Sequence, residues 1–536
     1  MDPSKDHPLI VRPAGAVSLR TNPDGVMARM TRGVLAGVGV STTLVAQRRF
    51  RLGEYDFREP DFRQIEFWAN QLGLSPEVVL ERLITTDFTD CQEDEAEDSY
   101  LEEFAFVVKD GAIVSLIIDF LMIPLTLFEW QPGLQIERLC FSKGHPSGRL
   151  QLSLNLPSLK ELVCGKIQLS KLNLSHVTGL TALYCNGNQL TELDLSPVSE
   201  LTHLDCSFNQ IAELDLLRVA GLTALYCNDN QLTKLSLPDL LQLDDLRCHG
   251  NQLTELSLLN APRLVLLYCD SNQLTKLELS RVPWLRHLWC GNNQLQELIL
   301  PHLPELWELS CKNNQLTDLD LTSAPGLWWL KCEDNQITEL DLSQVPDLTE
   351  LSCGLNELRE LDLSKVPRLK KLNCEHNQLS ELDLSHVLAL NELSCSNNRL
   401  SELDLSNVPS IKTLFCSHNE LLELDLSTVP GLTFLACRNN QLTVLDLSHV
   451  PSLTELYCSF NGLTTLNLSL VPLLTELQCG DNQLTKLDLS NMPGLTELWC
   501  FENQLTELDL SNVSDIETEN IHADPGVKII RRRTRI

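Results

Sequence analysis

Basic residues are scarce. Only 41 Lys and Arg stand against 73 Asp and Glu, a formal net charge of −32 over 536 residues. A nucleic-acid partner needs a Lys/Arg surface, and this chain as a whole repels phosphate, which argues against such a partner. No C-x-x-C pair exists to begin a redox or metal site, and the cysteines number 19, so a fully paired intrachain disulfide set is impossible. Residues 1–13 are polar and mixed in charge, unlike a signal peptide. No catalytic constellation stands out, because the many Asp and Ser recur only as part of a repeat. Hydrophobic residues at 43% are enough for a core and exclude wholesale disorder.

What is present is one unit written many times. From Cys164 to Cys500 there are 17 cysteines, each 21 residues after the last. The frame is L-x-x-L-x-C-x-x-N-x-L-x-x-L-x-L, filled by Leu180, Leu183, Cys185, Asn188, Leu190, Leu193 and Leu195. The Asn recurs in 16 consecutive units, Asn188 to Asn503, and Ile167 takes its place in the Cys164 unit. One such unit cannot bury its Leu face alone, but stacked units can. In an L-x-C strand such as Leu183-Tyr184-Cys185, alternation sends Leu and Cys inward and the middle residue outward. The Asn column suits a buried amide bonding the backbone of its own and the next turn. The E-L-D-L-S stretch that follows is expected to form a short second strand.

Inward thiols with parallel Cβ vectors suit packing better than disulfides, which need convergent geometry. Free thiols favour a reducing compartment, so a cytoplasmic location is expected. The H-x-x-C pair His287/Cys290 fails as a ligand pair, since an offset of three on a strand puts the side chains on opposite faces.

This frame resembles the leucine-rich repeat in its short bacterial form with a cysteine ladder, as in internalin J. The resemblance covers roughly residues 159–530. It implies a repeat solenoid with a parallel β-sheet and short second strands on the convex side. It also implies that a partner binds at the exposed strand position just before each Cys. That position reads Tyr184, Asp205, Tyr226, Arg247, Tyr268 and Trp289, then turns polar from Ser310 to Ser394, then returns to Phe415, Tyr457 and Trp499. The outward position three before Cys adds Trp329 and Phe434. Exposed aromatics suit the core of a protein interface.

The flanks divide further. Residues 1–52 form a flexible basic segment, with eight Lys/Arg and three Asp/Glu. Its Gly37 and Gly39 precede no Lys, which speaks against a phosphate loop. Residues 53–109 form a small helical domain and an acidic linker, with nine acids in 87–103. Its helices lie in 60–84, the second capped by Ser75 with Pro76 at its first position. The stretch ANQLGLSPEVVLERL is similar to a helix-turn-helix, but Glu77 and Glu81 against Arg82 make it a packed hairpin rather than a DNA reader. Residues 110–158 are degenerate capping repeats. The apolar run over 111–128 is interrupted by Asp119 and Pro124, so it reads as a strand rather than a membrane span. Residues 159–515 are the repeats. Residues 516–536 are a closing turn and basic tail, with Ile516 and Ile521 in the Leu and Cys registers of one further unit.

Two acidic columns line the second strand. One runs through Glu192, Glu255, Glu339 and Glu402, the other through Asp194, Asp320, Asp404 and Asp488. The glycine-rich calcium repeat is absent. Carboxylates at strand spacing disfavour one another's ionisation, so raised pKa values and stabilisation by mild acid are expected.

The reading is a non-enzymatic scaffold without cofactor or metal, recognising protein on its concave face, in a regulatory or sensor role within a bacterial complex. No nucleic-acid or membrane partner is expected. The alternative is a secreted or surface adhesin, ranked second because no L-P-x-T-G anchor is present.

Overall fold

A computed structural model describes residues 9–10, 49–52, 55–84, 107–110, 112–119, 130–142, 150–513 and 516–531. They fall into two compact units, Met1–Leu264 and Val265–Ile536. Most of the basic segment at 1–52 and all of the acidic linker at 87–103 lie outside the described residues.

In the first unit an antiparallel hairpin, Arg49–Leu52 with Tyr55–Arg58, leads into two helices, α1 (Glu59–Leu72) and α2 (Pro76–Ile84). The two expected helices are thus present, preceded by a hairpin whose first strand, Arg49–Leu52, lies ahead of residue 53. Pro60 enters α1 in its first turn, and Gly73 ends it in the left-handed region at φ 65°. Ser75 caps α2, its Oγ accepting the Val78 amide at 3.4 Å. Trp68 packs edge-on against Trp130, with ring centroids 5.8 Å apart. Asp61 is wholly buried: its Oδ1 accepts the Ile113 amide at 3.0 Å, and Arg58 lies 3.5 Å from Oδ2. Burial raises the Asp61 pKa, while the Ile113 amide and Arg58 oppose the rise. This carboxyl ties α1 to the strand Ala112–Asp119.

That strand confirms the capping-strand expectation for 113–118. Among the described residues no helix is long and apolar enough to cross a membrane. On one side the strand pairs antiparallel with Val107–Lys109, on the other parallel with Arg138–Ser142. From Arg138–Ser142 the pairing stays parallel through Glu161–Val163 and Ala182–Tyr184 to Asp245–Arg247. Cys140 pairs with Val163 rather than with a ladder cysteine, so it lies on the other face and packs with Ile117.

The second unit continues the same rule, from Leu266–Tyr268 through Glu497–Trp499 in parallel register, for example Leu330 opposite Leu351. Alternation buries the Leu and Cys of each strand completely, as at Leu330 and Cys332. The described cysteines are all buried and none is in a disulfide. Burial alone lifts the Cys395 thiol to about 12, so it stays protonated and unreactive.

The asparagine column closes the backbone accounts. Asn377 Nδ2 donates to Cys353 O (3.0 Å), Cys374 O (3.1 Å) and Glu375 O (3.3 Å), and its Oδ1 accepts the Leu358 amide at 2.9 Å. The same pattern recurs at Asn209 and Asn314. The carboxamide therefore joins its own turn to the preceding one, not to the next as expected. Two residues after each Cys the chain turns left-handed, even at bulky Phe208, Leu355 and Phe460 (φ 52°, 52° and 57°). That costs energy in an L-residue and is held by the stack on either side.

Second strands pair at two places, Leu150–Ser153 with Leu169–Asn173 and Glu507–Asp509 with Lys528–Ile530. In the repeats between, the E-L-D-L-S stretch does not pair as strand. Its backbone is satisfied locally. Asp404 Oδ1 accepts the Ser406 amide at 2.8 Å, and tight turns such as Leu201 N–H to Val198 O (3.1 Å) follow in each unit. At the C-terminus Ile521 pairs opposite Leu498, so it takes the register of the middle Leu and not of the Cys. The 3-10 turn Thr518–Asn520 absorbs the two extra residues.

Several aspartates of the second column behave opposite to expectation. Asp362, Asp404, Asp425 and Asp488 are held below the usual carboxylate range, first by the backbone amide of the serine two residues on and then by its hydroxyl. For Asp194 and Asp383 the serine hydroxyl is the larger cause. Neighbouring Asp383 and Asp425 do push Asp404 upward, but by less than these hydrogen bonds pull it down. A depressed folded pKa means that the stabilisation is present above the unfolded value and lost as pH falls through the folded one. The melting temperature should therefore drop on acidification below about pH 4, the unfolded carboxylate value. A melting temperature that rises over the same interval would contradict this.

Two substitutions test the ladder. Cys374→Ser, which buries a more polar group, should destabilise by roughly 1–3 kcal/mol. Asn377→Ala strands several buried backbone groups, each worth about 1–3 kcal/mol, and should cost more. Denaturant melts rank the two, and the reverse order would refute the assignment. Thiol titration of the unfolded, unreduced chain should return nearly all 19 thiols.

Candidate functional site

Strand alternation that buries Leu and Cys must project the residues one and three before each Cys. The ten residues singled out on this face, from Tyr184 to Trp499, are all half-buried there.

In the first unit Tyr184 and Tyr226 both lie on this face. Between them Asp205 is almost buried, its Oδ1 accepting the Ser207 amide and hydroxyl at 3.0 and 2.6 Å. The Arg247 guanidinium lies 4.2 Å above the Tyr226 ring. Asp245 fixes both, accepting the Tyr226 hydroxyl at 2.8 Å and Arg247 Nη2 at 3.1 Å.

In the second unit the aromatics gather into two clusters. Tyr268 stacks on Trp289 (centroids 4.6 Å, 21°), and Trp289 stacks on Trp329 (6.1 Å, 24°). Lys331 Nζ caps Trp329 at 4.7 Å. Further on, Phe415 meets Phe434 at 4.5 Å, Phe434 meets Tyr457 edge-on at 5.2 Å, and Arg438 lies 4.6 Å over Tyr457. Trp499 belongs to neither cluster; it packs on His522 (4.0 Å) and Phe501 (6.1 Å) at the closing turn.

A depression of about 320 Å³ separates the clusters, with Trp329 and Phe415 at its ends and Glu350, Lys371 and Glu392 across its floor. Lys371 Nζ sits 3.6 Å from Glu350 and 4.0 Å from Glu392. Beyond the second cluster, Glu455 accepts the Tyr457 hydroxyl at 2.8 Å. Partial burial, and then this bond and Glu476, raise the Tyr457 pKa and keep the hydroxyl a donor. Such rings, some of them flanked by a cation or a carboxylate, can take up apolar and cationic groups.

Reading only two columns misses a third. Trp307 and Trp328, four residues before their cysteines, are 37% and 39% exposed, and Trp284 in the turn before them is 59% exposed. The signal was in the sequence: five of the eight tryptophans fall within 284–329.

His287 and Cys290 do not converge, since Cys290 is wholly buried and His287 Nδ1 meets Glu308 at 2.9 Å. Among the described residues no group of three His, Cys, Asp or Glu is placed to hold a metal ion.

No family model matches the chain, and no curated relative does. Solved structures do match. The functional domain of InlJ from Listeria monocytogenes, which includes a cysteine ladder, is 34% identical over 61% of this chain and 69% of its own, with a TM-score of 0.51. YopM from Yersinia enterocolitica is 26% identical over 88% of this chain and 99% of its own, at 0.60. The plant peptide hormone receptor RGFR1, solved in complex with RGF2, shares the fold alone at 21% identity, over 73% of this chain and 75% of its own, at 0.60. With the 21-residue period, the buried thiol column and the asparagine brackets already in place, the InlJ match settles the family: this chain belongs to the bacterial-type leucine-rich repeat proteins built on a cysteine ladder.

Proposed function

We propose that the chain is a non-enzymatic scaffold that captures a protein partner on its projecting strand face, as a regulatory or sensor component of a bacterial complex. One observation carries the reading, the stacked run Tyr268–Trp289–Trp329. These rings do not enter the Leu/Cys core, so packing of the repeat does not require them. Rigid aromatics on a fixed face supply interface energy at small entropic cost. Tyr226 with Arg247 and the Phe415–Phe434–Tyr457 cluster are further contact points of the same kind. The column of buried thiols outside any disulfide, kept protonated by burial as at Cys395, supports a reducing, cytoplasmic setting.

A second reading, a surface or secreted adhesin, is favoured by the likeness to InlJ of Listeria monocytogenes. Cell fractionation separates the two: recovery with the soluble cytoplasm supports the first, and recovery at the surface or in the medium supports the second.

Replacing Tyr268 and Trp289 together by Ala should leave the fold intact by circular dichroism. It should weaken partner capture by roughly 2–4 kcal/mol, as expected for paired hot spots. Capture that survives this pair at full strength would remove the strand face as the binding site.

A further inference from the structure

The residue four before each Cys lies at the edge of the projecting face, where the strand begins. In eight of the 17 units it is Thr. There its hydroxyl donates to the carbonyl of the equivalent residue one unit earlier: Thr202 to Thr181 at 3.0 Å, Thr454 to Thr433 at 2.9 Å and Thr475 to Thr454 at 3.0 Å. Three successive units replace it with Arg286, Trp307 and Trp328. Their backbones keep the register, with Trp307 N–H to Arg286 O at 2.9 Å and Trp328 N–H to Trp307 O at 3.1 Å. The hydroxyl ladder is absent from Asp244 to Trp328, and Thr349 Oγ1 next donates to Trp328 O at 3.0 Å. Two large rings are left in solvent instead. Exposing tryptophan at the cost of a hydrogen bond does nothing for the stack.

Cations already seat on these rings. Arg286 lies 4.6 Å over Trp307 while paired to Glu305 at 2.7 Å, and Lys331 lies 4.7 Å over neighbouring Trp329. Two polar atoms of the region are buried without a partner, the Trp289 indole Nε1 and Glu333 Oε2, a donor and a carboxylate acceptor. The whole chain carries −32, so it attracts basic partners and repels acidic ones.

We propose that Trp284, Trp307 and Trp328 carry the Tyr268–Trp289–Trp329 cluster over the edge of the strand face, and that this joint surface holds a protein segment in which arginine or lysine alternates with aliphatic residues. The aliphatic groups lie on the stacked rings, and the cation takes an open indole face of the edge tryptophans. This deepens the proposed strand-face reading and rests on it.

The test uses the full chain and a phage-displayed random peptide library as probe. Trp307→Thr with Trp328→Thr restores the repeat's own residue at both sites, so the melting temperature should hold or rise. A fall of several degrees would make these rings structural and overturn the proposal. Selected peptides should be rich in Arg or Lys beside aliphatic residues, and should bind the double Thr variant at least tenfold more weakly. Peptides without basic residues, or an empty selection, would overturn the assigned occupant. Peptides insensitive to the Thr pair but lost with Tyr268→Ala and Trp289→Ala would overturn the edge site and leave the strand-face reading standing. Peptides insensitive to both pairs would remove both.

Discussion

Each turn of the repeat is bound to the turn before it by a single buried carboxamide. An amide side chain is suited to this because it donates and accepts at once. Asn377 takes three carbonyls and one amide out of deficit, two units at a time. Leucine in that place would leave those groups buried and unpaired, at a cost of about 1–3 kcal/mol each. The cysteine is the companion constraint. Beside the asparagine the cysteine column is wholly buried, and a small apolar thiol that burial keeps protonated suits that place. With register set by these two columns, the outward positions are free to vary, and function is written there.

Much of this was legible from the 21-residue period alone. Counting from Cys164 to Cys500 places every inward Leu and Cys and every outward aromatic on its correct face, because strand alternation leaves no choice. What was illegible turned on side-chain hydrogen bonding. A column of carboxylates looks like repulsion on paper, yet Asp404 closes on the serine two residues ahead, and that bond outweighs its neighbours. The same local turns use backbone groups that a continuous second ladder would need, so convex pairing appears only at Leu150–Ser153 and Glu507–Asp509 with their partners. The closing turn defeated simple counting, because Thr518–Asn520 winds into a 3-10 turn and moves Ile521 opposite Leu498. The hairpin at Arg49–Leu52 and Tyr55–Arg58 was readable from alternating Phe50, Leu52, Tyr55 and Phe57, but it straddles a boundary drawn by composition.

The site follows the same division. Position just before Cys led to Tyr268, Trp289 and Phe415, and the structure joins them with Trp329 and Phe434 from a second column into two clusters. It separates Trp499, which packs against the closing turn, and it buries Asp205 against Ser207 on the same face. The tryptophans four before Cys escaped because only the positions one and three before Cys were read as outward. Departures from a repeat's own consensus, such as Trp307 and Trp328, are where selection for something other than stacking shows.

The central claim is that this projecting strand face, not the aspartate turns or the N-terminal domain, meets the partner. Site-specific photo-crosslinking in the native cell addresses it directly. A benzophenone amino acid replacing Ser352, on the floor between the two aromatic clusters, is compared with one replacing Ser406, exposed beside the Asp404 turn. The account predicts a covalent adduct to a discrete protein from position 352 and none from 406. An adduct from 406 with none from 352 would contradict it.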